Sequence, residues 1–114
     1  MVYDLHRIFL QVKRRLDMAP STPLRQLSND LGIERHTIEK AVKRATGLTF
    51  REFRTSVLLK HARDLFKDQP NRTIKEVAFL LGYQSQGAFS RFIRTATGHS
   101  AKEFKMGKPE EMAG

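Results

Sequence analysis

The chain has 114 residues, no cysteine and a formal net charge of +9, from 21 Lys plus Arg against 12 Asp plus Glu. Such a length suits one domain with a modest core, and the missing cysteines exclude disulfides, thiolate metal sites and a thiol nucleophile. The cation excess, with a sequence pI near 10.4, points to a polyanion as partner; no apolar run approaches the ~20 residues of a bilayer span, and Met1-Val2-Tyr3-Asp4 lacks the charged start of a signal peptide, so a cytoplasmic location without membrane contact is expected.

Leu5, Ile8, Phe9, Val12 and Leu16 recur at helical spacing and predict an amphipathic helix from about Asp4 to Asp17. Met18 to Pro23 reads as a turn, with Thr22 suited to an N-cap and Pro23 to the first helical position. The next helix carries Leu24, Leu27 and Leu31 on one stripe and stops at Gly32, a residue that tolerates the positive φ of a tight turn. A third helix from about Glu34 to Ala45 buries Ile38, Ala41 and Val42 and ends at Gly47. Thr49-Phe50-Arg51-Glu52 has the form of a capping box, in which hydroxyl and carboxylate satisfy each other's free N–H groups at a helix start; the form recurs at Thr73-Ile74-Lys75-Glu76 and Ser100-Ala101-Lys102-Glu103.

Between the first two boxes a long helix, about Phe50 to Lys67, is expected to bury Phe53, Val57, Ala62, Leu65 and Phe66 before Asp68-Gln69-Pro70-Asn71 ends it. The helix after Thr73 places Ile74, Val77, Ala78 and Leu81 inward and turns at Gly82. Its successor has Ser85 as N-cap and Phe89, Phe92 and Ile93 on the core side, and closes at Gly98. A short helix from Ala101 to Lys105 leads into a tail, residues 107–114, expected to be flexible. No strand signal appears, so the expected class is all-α with about seven helices.

Two stretches of this plan repeat. Leu31-Gly32-Ile33 through Ala45-Thr46-Gly47-Leu48-Thr49 returns as Leu81-Gly82-Tyr83 through Ala96-Thr97-Gly98-His99-Ser100. The Leu-Gly pairs are offset by 50 residues and the Ala-Thr-Gly triplets by 51, so the second copy holds one extra residue between the glycine and the following helix. Helix, glycine turn and a second helix with basic residues on one face is the layout of a DNA-binding helix-turn-helix.

At the offset of 51, Arg35 stands against Gln86, His36 against Gly87, Glu39 against Ser90, Lys40 against Arg91 and Lys43 against Arg94. The apolar positions match as well, Ile38 with Phe89 and Val42 with Ile93. A shared core stripe and a shared cationic stripe, with the other outer residues unlike, is the pattern expected of two helices that dock on phosphates alike and read different bases. Arg and Lys donate to guanine O6 and N7, Gln pairs with adenine, and Ser or His can bond base edges or phosphates. Lys43 and Arg94, one turn further along, suit phosphate neutralisation.

With these residues in view, the stretch from about Leu24 to Lys105 resembles the DNA-binding domain of the AraC/XylS family of bacterial transcription regulators, which carries two helix-turn-helix units joined by a central helix. The most specific match is Ile74-Lys75-Glu76-Val77-Ala78, Leu81-Gly82-Tyr83, Phe89-Ser90-Arg91-Phe92-Ile93-Arg94 and Gly98-His99-Ser100, against a family pattern of Ile-x-x-Ile-Ala, Gly-Phe, Phe-Ser-Arg-x-Phe-Lys and Gly-x-Ser. The resemblance implies one DNA-binding domain over residues 1–106, with helix-turn-helix units at about 24–46 and 73–97. It implies double-stranded DNA as partner, in successive major grooves, and regulation of transcription. The chain departs from the family pattern at Phe50 and Ala101, where Pro is usual, at Leu58, where Arg is frequent, and at Glu34, which replaces a Ser cap. Gly87 near the start of the second recognition helix costs about 1 kcal/mol relative to Ala and is either a neutral loss or an allowance for close approach to DNA.

Tandem helices with unlike outer residues predict a monomer on a non-palindromic site of two unlike segments, and a linker helix of ~27 Å at 1.5 Å per residue, somewhat short against the ~34 Å of one DNA turn, is expected either to bend the duplex or to leave one unit loosely docked. His36 and Glu39 share a face but lack a third ligand, so no metal site is expected, and His6, His61 and His99 fall on separate elements. Glu52 and Glu103 are accounted for by capping, and no nucleophile–base pair or phosphate-binding glycine loop assembles, so neither enzymatic activity nor a cofactor is expected. A nonspecific architectural or RNA-binding protein would share the charge. The chain has no room for an effector domain, which leaves a self-contained regulator or the DNA-binding piece of a longer ligand-responsive one. RNA polymerase or another regulator, met through the Leu5-to-Leu16 helix or the tail, is compatible with either.

Overall fold

The computed structural model describes residues 4–107. The described residues form α1 (Leu5–Met18), α2 (Leu24–Leu31), α3 (Arg35–Thr46), α4 (Phe50–Asp68), α5 (Ile74–Leu80), α6 (Gln86–Thr97) and α7 (Ala101–Lys105), without a strand. The tail from Lys108 onward, expected to be flexible, lies outside them. The described residues divide into two compact units, one ending at Val57 and one beginning at Leu58, with α4 running through the division.

In the first unit the four-residue spacing of Ile8, Val12 and Leu16 puts all three on one side of α1, where they meet Leu27 of α2 and Ile38, Ala41 and Val42 of α3. Phe50 and Phe53 from the start of α4 close this core, Phe53 packing 5.4 Å from the ring of Phe9. Asp4 starts α1 by accepting from the Arg7 N–H at 3.1 Å. The expected cap of α2 shifts by one residue. Pro23, in extended backbone, is the N-cap and contributes no side-chain bond, whereas Thr22 donates its hydroxyl to the Ala19 carbonyl at 2.6 Å and closes the turn behind it. Arg54 ties α4 to the same turn by donating to the Ser21 carbonyl at 2.6 Å.

In the second unit Ala62 and Phe66 of α4, Val77 and Ala78 of α5, Leu81 at its C-cap, Phe89 and Ile93 of α6, and Phe104 of α7 form the core. Tyr83 stacks obliquely on Phe89 and Phe92, with centroids 5.5 and 6.0 Å away. Ile74 and Phe92 pack against this core while remaining partly exposed.

The buried face of α4 differs from the expected stripe. Leu58 is fully buried, and Val57 and Leu65 are only half-buried. The reason is that the helix serves two cores. Phe50, Phe53 and Val57 pack with the first and Leu59, Ala62, Leu65 and Phe66 with the second, so no single 3.6-residue stripe runs its length. Of the four positions that depart from the family pattern, Leu58, Phe50 and Ala101 are buried and Glu34 is exposed.

The duplication extends to the hydrogen bonds. Gly32 and Gly82 both take positive φ (66° and 95°), and the next residue bonds back to the helix in each copy, Ile33 N–H to Ser28 O at 3.2 Å and Tyr83 N–H to Ala78 O at 2.9 Å. At the far ends Gly47 and Gly98 donate to Lys43 O and Arg94 O, each at 2.8 Å. Thr46 Oγ1 donates to Val42 O at 2.7 Å and accepts from Leu48 N–H at 3.1 Å. Thr97 Oγ1 does the same with Ile93 O at 2.8 Å and His99 N–H at 3.1 Å. All three capping boxes form, with both bonds present in each.

Candidate nucleic-acid interface

Burial of Ile38, Ala41 and Val42 fixes the rotation of α3, and the opposite face then carries Arg35, His36, Glu39, Lys40 and Lys43, all exposed. Burial of Phe89 and Ile93 does the same for α6, exposing Gln86, Gly87, Arg91 and Arg94 and leaving Ser90 half-buried. The ten residues singled out from the sequence thus fall on the outer faces of two helices, five on each. None of their side chains makes a hydrogen bond or ion pair among the described residues.

Most acids elsewhere are consumed locally. Asp17 pairs with Lys13 at 3.1 Å, Asp30 with Arg15 at 3.5 Å and Asp68 with Arg72 at 3.8 Å, while Glu52, Glu76 and Glu103 cap helices. The backbone N–H of Thr49 holds the Glu52 carboxyl below its ordinary pKa, with lesser help from the Thr49 hydroxyl and the Lys43 charge. Thr73 does the same for Glu76. With those acids committed, the cations of α3 and α6 outnumber the one acid on these faces, Glu39, and present a net positive field to solvent, the condition for attracting a polyanion.

In the first unit His36, Glu39, Lys40 and Lys43 line one cleft of about 510 Å³, together with Arg44, Thr49 and Phe50. Arg35 is not among its walls. Arg44 and Thr49 are not among the ten interface candidates; Arg44 has Thr95 as its match in the other copy, and its position four residues after Lys40 is the signal that places it beside the others. In α6 the Arg91 side chain reaches back over the first turn, so that a Cβ built on Gly87 would stand 4.0 Å from Arg91 Nη1 and 4.0 Å from Ser85 Oγ. Gly87 has no positive φ and meets no steric limit within the protein.

The helix entries differ between copies. Ser85, in extended backbone, accepts from Ala88 N–H at 3.1 Å, whereas Glu34 at the matched position of α3 makes no capping bond. Among the described residues no group of three or more His, Cys, Asp or Glu is placed to hold a metal ion, and no helix is long and apolar enough to cross a membrane.

A family profile described as "Helix-turn-helix domain" matches residues 27–106. No curated protein matches the chain. Among solved structures, the C-terminal domain of AraT, a response regulator from Geobacillus stearothermophilus, superposes with a TM-score of 0.70 at 20% identity, covering 90% of this chain and 83% of that one. A DNA-binding transcriptional dual regulator from Escherichia coli K-12 gives 0.63 at 18% identity, with 96% of each chain covered. At these identities the likeness is one of fold.

Proposed function

The chain belongs to the AraC-type helix-turn-helix family, and from that premise we propose that it binds specific double-stranded DNA sequences through α3 and α6, in successive major grooves, and so regulates transcription. The observation that carries the reading is the pair of matched outer faces, alike in their unconsumed cations at 40/91 and 43/94 and unlike at 35/86, 36/87 and 39/90. A purely nonspecific binder has no need of unlike residues at matched positions. Both structural neighbours are named as regulators, one of them as DNA-binding, which is in keeping with this role.

In this proposal Lys40 and Arg91 read base edges, Lys43 and Arg94 neutralise phosphates, Gln86 pairs with adenine, and Arg35, His36 and Ser90 bond bases or phosphates according to sequence. The two helix-turn-helix units, α2–α3 and α5–α6, act from one chain, so the preferred site is non-palindromic and bound by a monomer.

Selection of bound sequences from a random duplex pool, followed by a salt titration on the winner, tests the proposal. It expects two unlike segments about one turn apart and roughly 6–10 phosphate contacts, with a log–log salt slope of about −0.9 per contact. A slope shallower than about 3, or equal competition by random duplex and RNA, would favour an architectural or RNA-binding protein instead.

A further inference from the structure

Glu39 is an acid without a structural task. In the first unit Asp4 and Glu52 cap helices, Asp17 and Asp30 are paired with Lys13 and Arg15, and Glu34 stands at the N-cap position of α3, off the exposed mid-helix face, without a capping bond. Glu39 lies mid-helix on the exposed face, with Arg35 four residues before it and Lys43 four residues after, the spacing at which ion pairs form on a helix. Neither pair forms among the described residues. Glu39 instead lines the cleft whose other charged walls are Lys40, Lys43 and Arg44.

A carboxylate aimed at a polyanion weakens binding unless it accepts a hydrogen bond there, because it has acceptor capacity only. In the major groove two bases donate. Adenine offers its N6 amino group beside the N7 acceptor, which repels a carboxylate, while cytosine offers its N4 amino group with no acceptor on the same base edge. Resting on the assignment of α3 to the major groove, we propose that Glu39 is a specificity-determining residue that accepts from the N4 amino group of a cytosine in the segment read by the first unit. Ser90, its match on α6, has a hydroxyl that both donates and accepts, so the corresponding position in the other segment is read loosely. Glu39 therefore costs affinity for every duplex and returns it at cytosine alone.

The test uses the full chain with Glu39→Ala and Glu39→Gln. Glu, Gln and Ala are all good helix formers, so neither change at this exposed position threatens α3. Bound duplexes are selected from a random pool, and affinities are measured on site variants with each base at the position in question. Wild type should favour cytosine there by about tenfold, in the range of a specific base contact. E39A should lose that preference and bind random duplex a few-fold more tightly. E39Q should move the preference to adenine, which an amide contacts through N6 and N7 together. In both variants the segment read by α6 should be unchanged. Retention of the same cytosine preference by both variants, or uniform tightening on all sequences from a wild type without a cytosine preference in the first segment, would overturn the inference and leave two-helix docking intact. A wild type with no base preference in either segment would overturn the sequence-specific reading itself, and this inference with it.

Discussion

The α2–α3 and α5–α6 units share their frame and differ in what they show to solvent. Gly47 and Gly98 donate at the same 2.8 Å, and the threonine hydroxyls beside them make the same two bonds at lengths that agree within 0.1 Å. On the outer faces the first unit carries Arg35, His36 and Glu39 where the second carries Gln86, Gly87 and Ser90. The difference teaches that the repeated residues hold α3 and α6 at a fixed rotation and length, while the unrepeated ones are free to vary because no fold interaction depends on them.

The largest expected effects test the shared frame. Ile38→Ala and Phe89→Ala remove matched, fully buried side chains and should cost about 2–5 and 3–5 kcal/mol respectively, measured by denaturant unfolding with hydrogen exchange to show which unit opens. Opening of both units to the same degree by either change would contradict the division at Val57. Thr46→Val and Thr97→Val keep the shape and remove the hydroxyl, leaving a half-buried N–H without its acceptor; each should cost about 1–3 kcal/mol. Unequal losses would break the equivalence that their hydrogen bonds imply.

Next in size, at about 1–3 kcal/mol of binding, Lys40→Ala and Arg91→Ala should relax base preference within one segment each. Lys43→Ala and Arg94→Ala should weaken all sequences more evenly and reduce the salt slope by about 1. The same change in specificity from all four would refute the division between reading and positioning.

Smaller effects probe the unlike entries. Ser85→Ala should lose about 0.5–2 kcal/mol of stability, because the Ala88 N–H loses its acceptor. Glu34→Ser offers α3 the hydroxyl it lacks and should gain less than that. Smallest is the response to acid. The Glu52 and Glu76 carboxyls lie below their ordinary values because threonine N–H groups bond the charged form, so their contribution is complete above the usual carboxylate range and is lost as pH falls through the lowered values. The stability gap between wild type and Glu52→Gln or Glu76→Gln, read by urea unfolding, should therefore narrow from pH 7 toward acid. A gap that widened would reverse the sign of the linkage.

How much of this was legible in the chain depends on how local the cause is. Capping boxes, glycine turns and the single-faced stripes of α3 and α6 were readable because each is set within a few residues. The cap of α2 was misplaced by one, because Thr22 satisfies a carbonyl behind it instead of the N–H groups ahead. Leu58 was missed because α4 changes partners midway, which periodicity within one helix does not register. The role of Thr46 and Thr97 went unread although Ala-Thr-Gly had been seen twice; a hydroxyl that serves a carbonyl and an N–H at once shows itself only in three dimensions. Of the candidate interface, the ten positions were visible from the repeat, while Arg44 and Thr49 joined them only when the cleft beside α3 was formed.

The most direct test of two unlike readers acting from one chain is an insertion of 5 bp between the two segments of the selected site. Half a turn of added DNA puts the segments on opposite faces of the duplex. The account predicts that one unit then loses its hold, with affinity falling toward that of a single segment and the salt slope toward half. Unchanged affinity and slope after the insertion, or protection of a palindromic site by a stable dimer, would contradict it.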